Sequence, residues 1–445
     1  MFDRLIISSL KTWADSSPCK PLVLRGARQV GKTTLVKEFA KEFSVFIHLN
    51  LEKEEQRRIF SSGKNFPELL DAIFYLSGKE RNKGKTLIFI DEIQNSPEAI
   101  GYLRYFYEEA PELFVIAAGS LLESMLNRNI SFPVGRVDYM ALRPCSFLEF
   151  IGALGEQVSA EMITSGAVPG FAHEKLKSLF HRYALIGGMP EIVAVYAATG
   201  DLIRLKKTYQ SLLAGFSDDV EKYASNNAMI HYIRHIFKTG FSFAGQRIKF
   251  ANFGVSDYRS REMGEAFRTL EKTMLLELIY PASSVSIPIL SNYRKSPRLQ
   301  WVDTGLVNYA AGVQHEIFTS PSIMTAWKGI IAEHITGQEL LAYDNDVLSK
   351  RHFWTREEKN SMAEIDFIFN YNGIIIPVEV KSGDTGRLRS LHLFMDAASH
   401  KIAVRICQEK FAVIDLKTIK GKPFRLISIP FYQISQISQI LDKYV

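Results

Sequence analysis

Short, nearly continuous apolar runs alternate with longer amphipathic stretches over the first 150 residues. That alternation marks buried parallel strands separated by helices. The runs cover 21–25, 45–49, 86–90, 113–118 and 137–142, each too short for a helix and bounded by turn residues. Residues 32–44 carry Leu35, Val36, Phe39, Ala40 and Phe43 on one face, which predicts a helix after the first strand. From 150 to 300 the pattern is mostly helical and is interrupted at Gly187-Gly188-Met189-Pro190. A basic helix is predicted over 259–276, with Met263, Ala266, Phe267, Leu270, Met274 and Leu275 at helical spacing. Beyond a boundary expected near 319–321, the α/β texture returns. A helix over 326–342 precedes short strands at Phe353, 365–369 and 374–380, and a last helix lies near 433–443.

With 445 residues, 47% hydrophobic and 23% charged, the chain has the balance of a soluble globular protein of two to four domains. A disordered, collagen-like or disulfide-scaffold chain is excluded. Cys19, Cys145 and Cys407 are far apart and form no C-x-x-C pair, a usage that suits a reducing compartment. No stretch reaches the length of a membrane span. The opening MFDRLIISSLKTW reads as a helix rather than a signal peptide, so a cytoplasmic location without a membrane partner is expected. The formal charge is +6. Residues 229–300 hold eleven Lys/Arg and five Asp/Glu, so this segment accounts for all of it. A basic block in an otherwise neutral chain points to a polyanion partner, DNA above all.

Between the first strand and its helix lies Gly26, Ala27, Arg28, Gln29, Val30, Gly31, Lys32, Thr33 and Thr34, which satisfies G-x-x-x-x-G-K-[ST]. Glycines let successive N–H groups face phosphates, and the helix N-terminus adds positive potential. Lys32 is expected at the β- and γ-phosphates of ATP, and the Thr33 hydroxyl on Mg²⁺. The strand at 86–90 ends in Asp91, expected to hold Mg²⁺ through water, and Glu92, expected to polarise the attacking water. Ser120, after the strand at 113–118, either senses the γ-phosphate or caps the next helix. Arg128 and Arg136 are either arginine fingers toward a neighbouring copy's nucleotide, which would require a homo-oligomer, or solvated surface arginines. Arg28 is expected to face solvent or the nucleotide's edge.

The distal region places Glu333 on the helix AWKGIIAEHITGQELLAY, Asp366 in EIDFIF, and Glu379 and Lys381 two apart on the strand IIIPVEVKS. Two residues apart on a strand share a face. Glu333, Asp366 and Glu379 are candidate ligands of Mg²⁺, with Lys381 orienting water or neutralising charge. Glu379 is a charge inside a core-type strand and needs a partner. A purely structural ion network of Asp366, Glu379 and Lys381 is the alternative.

GARQVGKTT, LIFIDEIQ and AAGSLLE resemble the AAA+ branch of P-loop ATPases. With VGRVDYMALRPCSFLEF, LIGGMPE, SPRLQWVDTGL and AEIDFIF…PVEVKSG, the chain resembles prokaryotic AAA-family ATPases with a nuclease-like C-terminal domain. Arg143 departs from the aliphatic or aromatic residue usual before that Pro. The resemblance implies an α/β fold: a P-loop core over 1–150, a helical lid over 151–228, a winged helix over 229–318, and a PD-(D/E)XK-like domain over 319–445. In that winged helix Arg259, Arg261, Arg268, Lys272, Arg294, Lys295 and Arg298 would contact DNA phosphates, with 284–298 as the wing. The competing reading is a solvated helix face, or pairing with acids elsewhere. His231 and His235 read as surface histidines. The leading expectation is an ATPase coupled to DNA binding and cleavage. The alternatives are a nucleotide switch, or a protein-remodelling ATPase whose C-terminal domain only binds.

Overall fold

The computed structural model describes residues 2–445 except 62, 82, 120–132, 167, 225, 315–328, 359–360 and 384–387. Five strands form the first sheet: β1 (Leu22–Arg25), β2 (Val45–Asn50), β3 (Thr86–Asp91), β4 (Leu113–Ala118) and β5 (Asp138–Ala141). They are all parallel, in the order β2-β3-β4-β1-β5. Parallel sheets need cover on both faces, which explains the continuous apolar runs. Ile88 and Ile90 pack with Leu69, Ile73 and Phe106 on one side. Leu87 and Phe89 pack with Leu35 and Phe39 on the other. Because the strands are parallel, Arg25, Asp91 and Ala118 share one edge of the sheet. The helix expected over 32–44 ends at Phe39 and tightens into a 3-10 turn, Ala40–Glu42.

Helices at Phe147–Ala153, His173–Ile186, Pro190–Thr199 and Leu205–Asp218 follow. Pro190 opens its helix, where the missing N–H costs nothing. Next come helices Asn227–Thr239 and Ser260–Lys272, then β6 (Leu276–Ile279) and the short β7 (Pro281–Ala282). β8 (Arg298–Trp301) pairs antiparallel with β6. The helix expected to reach 276 stops at Lys272: Met274 adopts φ 61° and the chain enters β6. Burial of Leu276, Leu278 and Ile279 in that pairing overrides the helical period.

A seven-stranded mixed sheet completes the chain, with β9 (His352–Glu358), β10 (Ser361–Tyr371), β11 (Ile374–Val380), β12 (Ile402–Cys407), β13 (Ala412–Lys417) and β14 (Pro423–Pro430). Its order is β13-β14-β12-β11-β10-β9-β7. Just before the segment expected as the wing, 284–298, Pro281 and Ala282 pair with Phe353 and Trp354 and so join this sheet. The last helix divides into a 3-10 turn, Phe431–Gln436, and a helix, Ile437–Leu441. The boundary expected at 319–321 lies outside the described residues. Among the described residues no helix is long and apolar enough to cross a membrane.

Several motifs without evident chemistry meet in one buried joint. Asp303 accepts hydrogen bonds from the backbone N–H of Gly188 (2.5 Å) and Leu306 (3.0 Å). Glu339 accepts from the Phe147 N–H (3.0 Å) and the Tyr183 hydroxyl (2.6 Å). A Cβ on Gly188 would lie 2.1 Å from the Cys145 carbonyl oxygen, and one on Gly305 1.9 Å from that of Ile186. Glycine is thus required for close backbone approach at both positions. Burial pushes Glu339 up to about 7 and Asp303 up to about 6. The native state then holds protons that the unfolded chain has lost, so stability falls as pH rises from about 4.5 to 7. Glu339→Gln should flatten this dependence, by up to about 3 kcal/mol between pH 5 and 8. Denaturant titrations at the two pH values check it, and an unchanged slope would exclude Glu339 as its source.

Candidate functional site

The loop after β1 turns sharply because Gly31 takes φ 92° and Gln29 φ 65°. Gly26 lies so close to β5 that a Cβ would meet the Leu142 carbonyl oxygen at 2.6 Å. Lys32 is buried, and its ammonium donates to the carbonyls of Gly26 (2.9 Å) and Ala27 (3.1 Å). Burial pushes it down to about 8, opposed by Glu92 and Asp91. Across the edge of the sheet, the Thr33 hydroxyl donates to Asp91 Oδ2 at 2.8 Å. A hydroxyl and a carboxylate so placed are hard-oxygen donors that suit Mg²⁺. Glu92 has left-handed backbone, φ 52°, and its Oε2 accepts from Gln94 Nε2 at 2.5 Å.

Arg4 holds the loop from behind. It donates to the Val30 carbonyl (3.2 Å) and the Arg143 carbonyl (2.7 Å), and pairs with Glu149 (2.9 Å). Arg28 keeps part of its side chain exposed and pairs with Asp219, the residue that ends the helix Leu205–Asp218. A buried carboxylate at that helix end draws the guanidinium over. The pair links the loop to the helical segment above it.

Arg136 precedes β5 and so lies at the opposite edge of the parallel sheet from Gly26. It pairs with Glu108. This exposed pair suits a surface arginine, and a finger toward a neighbouring copy's nucleotide stays a proposal. Ser120 and Arg128 lie outside the described residues.

In the distal sheet, Asp366 Oδ2 accepts from the Val380 N–H (2.7 Å), which places Asp366 beside Glu379. Lys381 Nζ pairs with Glu379 Oε1 at 2.6 Å. The other Glu379 oxygen is buried and has no hydrogen-bond partner among the described residues. The fold does bring Glu333, Asp366, Glu379 and Lys381 together, and it adds two residues that the sequence did not single out for this site. Arg298 of β8 enters the cluster with a side chain only 4% exposed. Its Nη1 lies 3.2 Å from Glu333 Oε2 and donates to the Asp366 carbonyl at 3.1 Å. Its Nη2 pairs with Glu364 and lies 3.9 Å from Asp366 Oδ1. The guanidinium stacks on Phe353, 4.8 Å from the ring centroid. Burial and mutual repulsion push Glu333 up to about 8 and Glu379 to about 7.

Among the described residues, no three His, Cys, Asp or Glu side chains converge on a common metal position. The expected ligand set Glu333, Asp366 and Glu379 is thus assembled but not preformed for Mg²⁺, since a guanidinium bonds two of its members. The expected phosphate contacts change likewise. Arg298 is buried and Lys295 pairs with Glu357. Arg268 and Lys272 line a cleft facing the first sheet. Arg259, Arg261 and Arg294 stay exposed.

Residues 19–151 match a family described as an AAA domain. The chain carries a P-loop AAA ATPase domain. Downstream of it, residues 177–316 and 328–424 match two families described as domains of unknown function, DUF8612 and DUF4143. No curated protein matches the chain. Among solved structures, the Walker-type ATPase of Pyrococcus abyssi is similar at 16% identity and TM-score 0.45, over 70% of this chain and 96% of that one. The Orc1 protein of Aeropyrum pernix, solved in complex with DNA, is similar at 11% identity and TM-score 0.23, over 69% and 90%. Within the AAA domain, the sequence reading missed Gln94 on Glu92, and His48 Nε2 at 3.4 Å from Asp91 Oδ2. The Gln94 contact had a signal, being two residues beyond the acid pair. His48 had none, since it reaches Asp91 only through strand pairing.

Proposed function

We propose that this chain binds ATP with Mg²⁺ at residues 26–34 and hydrolyses it to move its distal segments. The observation that carries the reading is the 2.8 Å contact between Thr33 and Asp91, two donors that a metal-bound triphosphate would engage together. In the nucleotide-bound state Lys32 would leave the loop carbonyls for the phosphates, where their charge would restore its ordinary basicity. Thr33 and Asp91 would hold Mg²⁺, which neutralises developing phosphate charge. Glu92, steadied by Gln94, would take the proton of the attacking water. Motion would pass to the helical segment through Arg28 and Asp219. Lys32→Ala should abolish ATP binding in calorimetric titration, and undiminished affinity would sink the reading.

A second reading, DNA binding and cleavage, is favoured by the meeting of Glu333, Asp366, Glu379 and Lys381 in one pocket. Exposed Arg259, Arg261 and Arg294 would hold DNA phosphates without reading sequence. Cleavage would need Arg298 to withdraw before Mg²⁺ entered. In that view β8 guards the cluster and the ATP cycle releases it. A silent cluster would leave the chain a nucleotide switch or a protein-remodelling ATPase.

A further inference from the structure

Where the AAA domain, the helix Ser260–Lys272 and the distal domain meet, there is a cavity of about 290 Å³. It abuts the P-loop at Ala27 but does not include residues 31–34. Its lining holds Arg25, Arg143, Arg268, Lys272, Lys350 and Arg351, against two acids, Glu271 and Glu277. Both acids are engaged. Glu277 takes Arg351 at 2.5 Å and its backbone N–H at 3.0 Å. Glu271 accepts the Leu278 N–H at 3.1 Å and lies 3.9 Å from Lys350. The walls therefore carry an excess of four positive charges. Arg268, Lys272 and Lys350 reach solvent, whereas Arg143 is largely withdrawn from it, and a withdrawn positive charge is costly unless an anion joins it.

Arg143 shows that cost. Its Nη2 donates to the Asp346 carbonyl at 3.2 Å, while its Nε is buried and has no hydrogen-bond partner among the described residues. Burial and neighbouring Arg351 push the group down to about 10, a rare depression for a guanidinium. Arg268 and Lys272 stand exposed at the mouth. Leu142, Pro144, Met274 and Trp301 add apolar wall.

We propose that this cavity is a second anion site, distinct from the P-loop, that takes a small di- or triphosphorylated anion and ties the three segments together. Arg351 stays committed to Glu277 and the Gly337 carbonyl, so Arg143 would offer its Nε edge to phosphate oxygens from within, with Arg268 and Lys272 closing over them at the mouth. The volume suits a compact ligand rather than a nucleic-acid duplex. The apolar wall gives a nucleoside somewhere to lie, so a nucleotide and free oligophosphate share the recognising chemistry.

The test uses the full chain carrying Lys32→Ala, so that the P-loop does not compete. Calorimetric titration with inorganic pyrophosphate should show binding. Adding Arg143→Leu should weaken it about tenfold or more, the worth of a lost charge-assisted contact. Lys272→Gln, at an exposed position that does not threaten folding, should weaken it several-fold. Titration with ADP separates the two sources: tighter binding than pyrophosphate marks a nucleotide, weaker binding free oligophosphate. Pyrophosphate binding that vanishes with Lys32→Ala alone would overturn the proposal, because the P-loop would then be the sole site. So would binding indifferent to both cavity substitutions, or duplex DNA binding that depends on Arg143 while pyrophosphate does not bind.

Discussion

Arg298→Met should destabilise the chain by about 3–5 kcal/mol, the usual loss when one partner of a buried ion cluster is removed. The guanidinium is 4% exposed and serves Glu333, Glu364 and the Asp366 carbonyl at once. Without it, three carboxylates face one another and Glu379, with Lys381 on Glu379 and a longer contact from Arg247 to Glu364 (3.6 Å) as compensation among the described residues. Urea unfolding measures the loss, and Arg298→Met with Glu364→Gln should recover part of it. A change under about 1 kcal/mol would show that the cluster does not depend on Arg298. The same substitution tests the guarding role of β8. Mn²⁺ should stabilise Arg298→Met well beyond its effect on wild type, because binding to the native state alone shifts unfolding by mass action. Metal-dependent DNA cleavage should then appear in Arg298→Met, and vanish when Asp366→Ala is added.

Glu92→Gln should lower ATP turnover by about 100-fold or more while leaving ATP affinity within about twofold. The substitution keeps shape and hydrogen bonding but removes the group that accepts a proton from water. Glu92 is placed for that step by the left-handed turn after β3 and by Gln94 at 2.5 Å. Steady-state phosphate release beside a nucleotide titration separates the two effects. Hydrolysis at the wild-type rate would remove Glu92 from the mechanism. Gln94→Ala should give a smaller loss with the same sign, because it frees the base without deleting it.

The local order of the chain was legible where chemistry is local. Residues 26–34 must curl, for two glycines and a helix start leave the backbone no other compact course around a phosphate. Asp91 and Glu92 had to end a buried strand, since an unbroken apolar run from Leu87 to Ile90 leaves charge nowhere else to go. Glu379 and Lys381 had to share a face by strand geometry alone. What spacing did not reveal is which distant charges become partners. Arg298 and Glu333 are both common surface residue types. Only the pairing of β8 with β6 and of β7 with β9 carries the arginine into the distal sheet. Arg28 met Asp219, and Arg136 met Glu108, for the same reason. Sequence by itself determined the strands of the first sheet, the phosphate loop and the candidate residues for chemistry, because these follow from backbone sterics and hydrophobic period. The tertiary structure alone decided which of those residues confront each other, because Coulomb attraction and desolvation depend on distance through space and not along the chain.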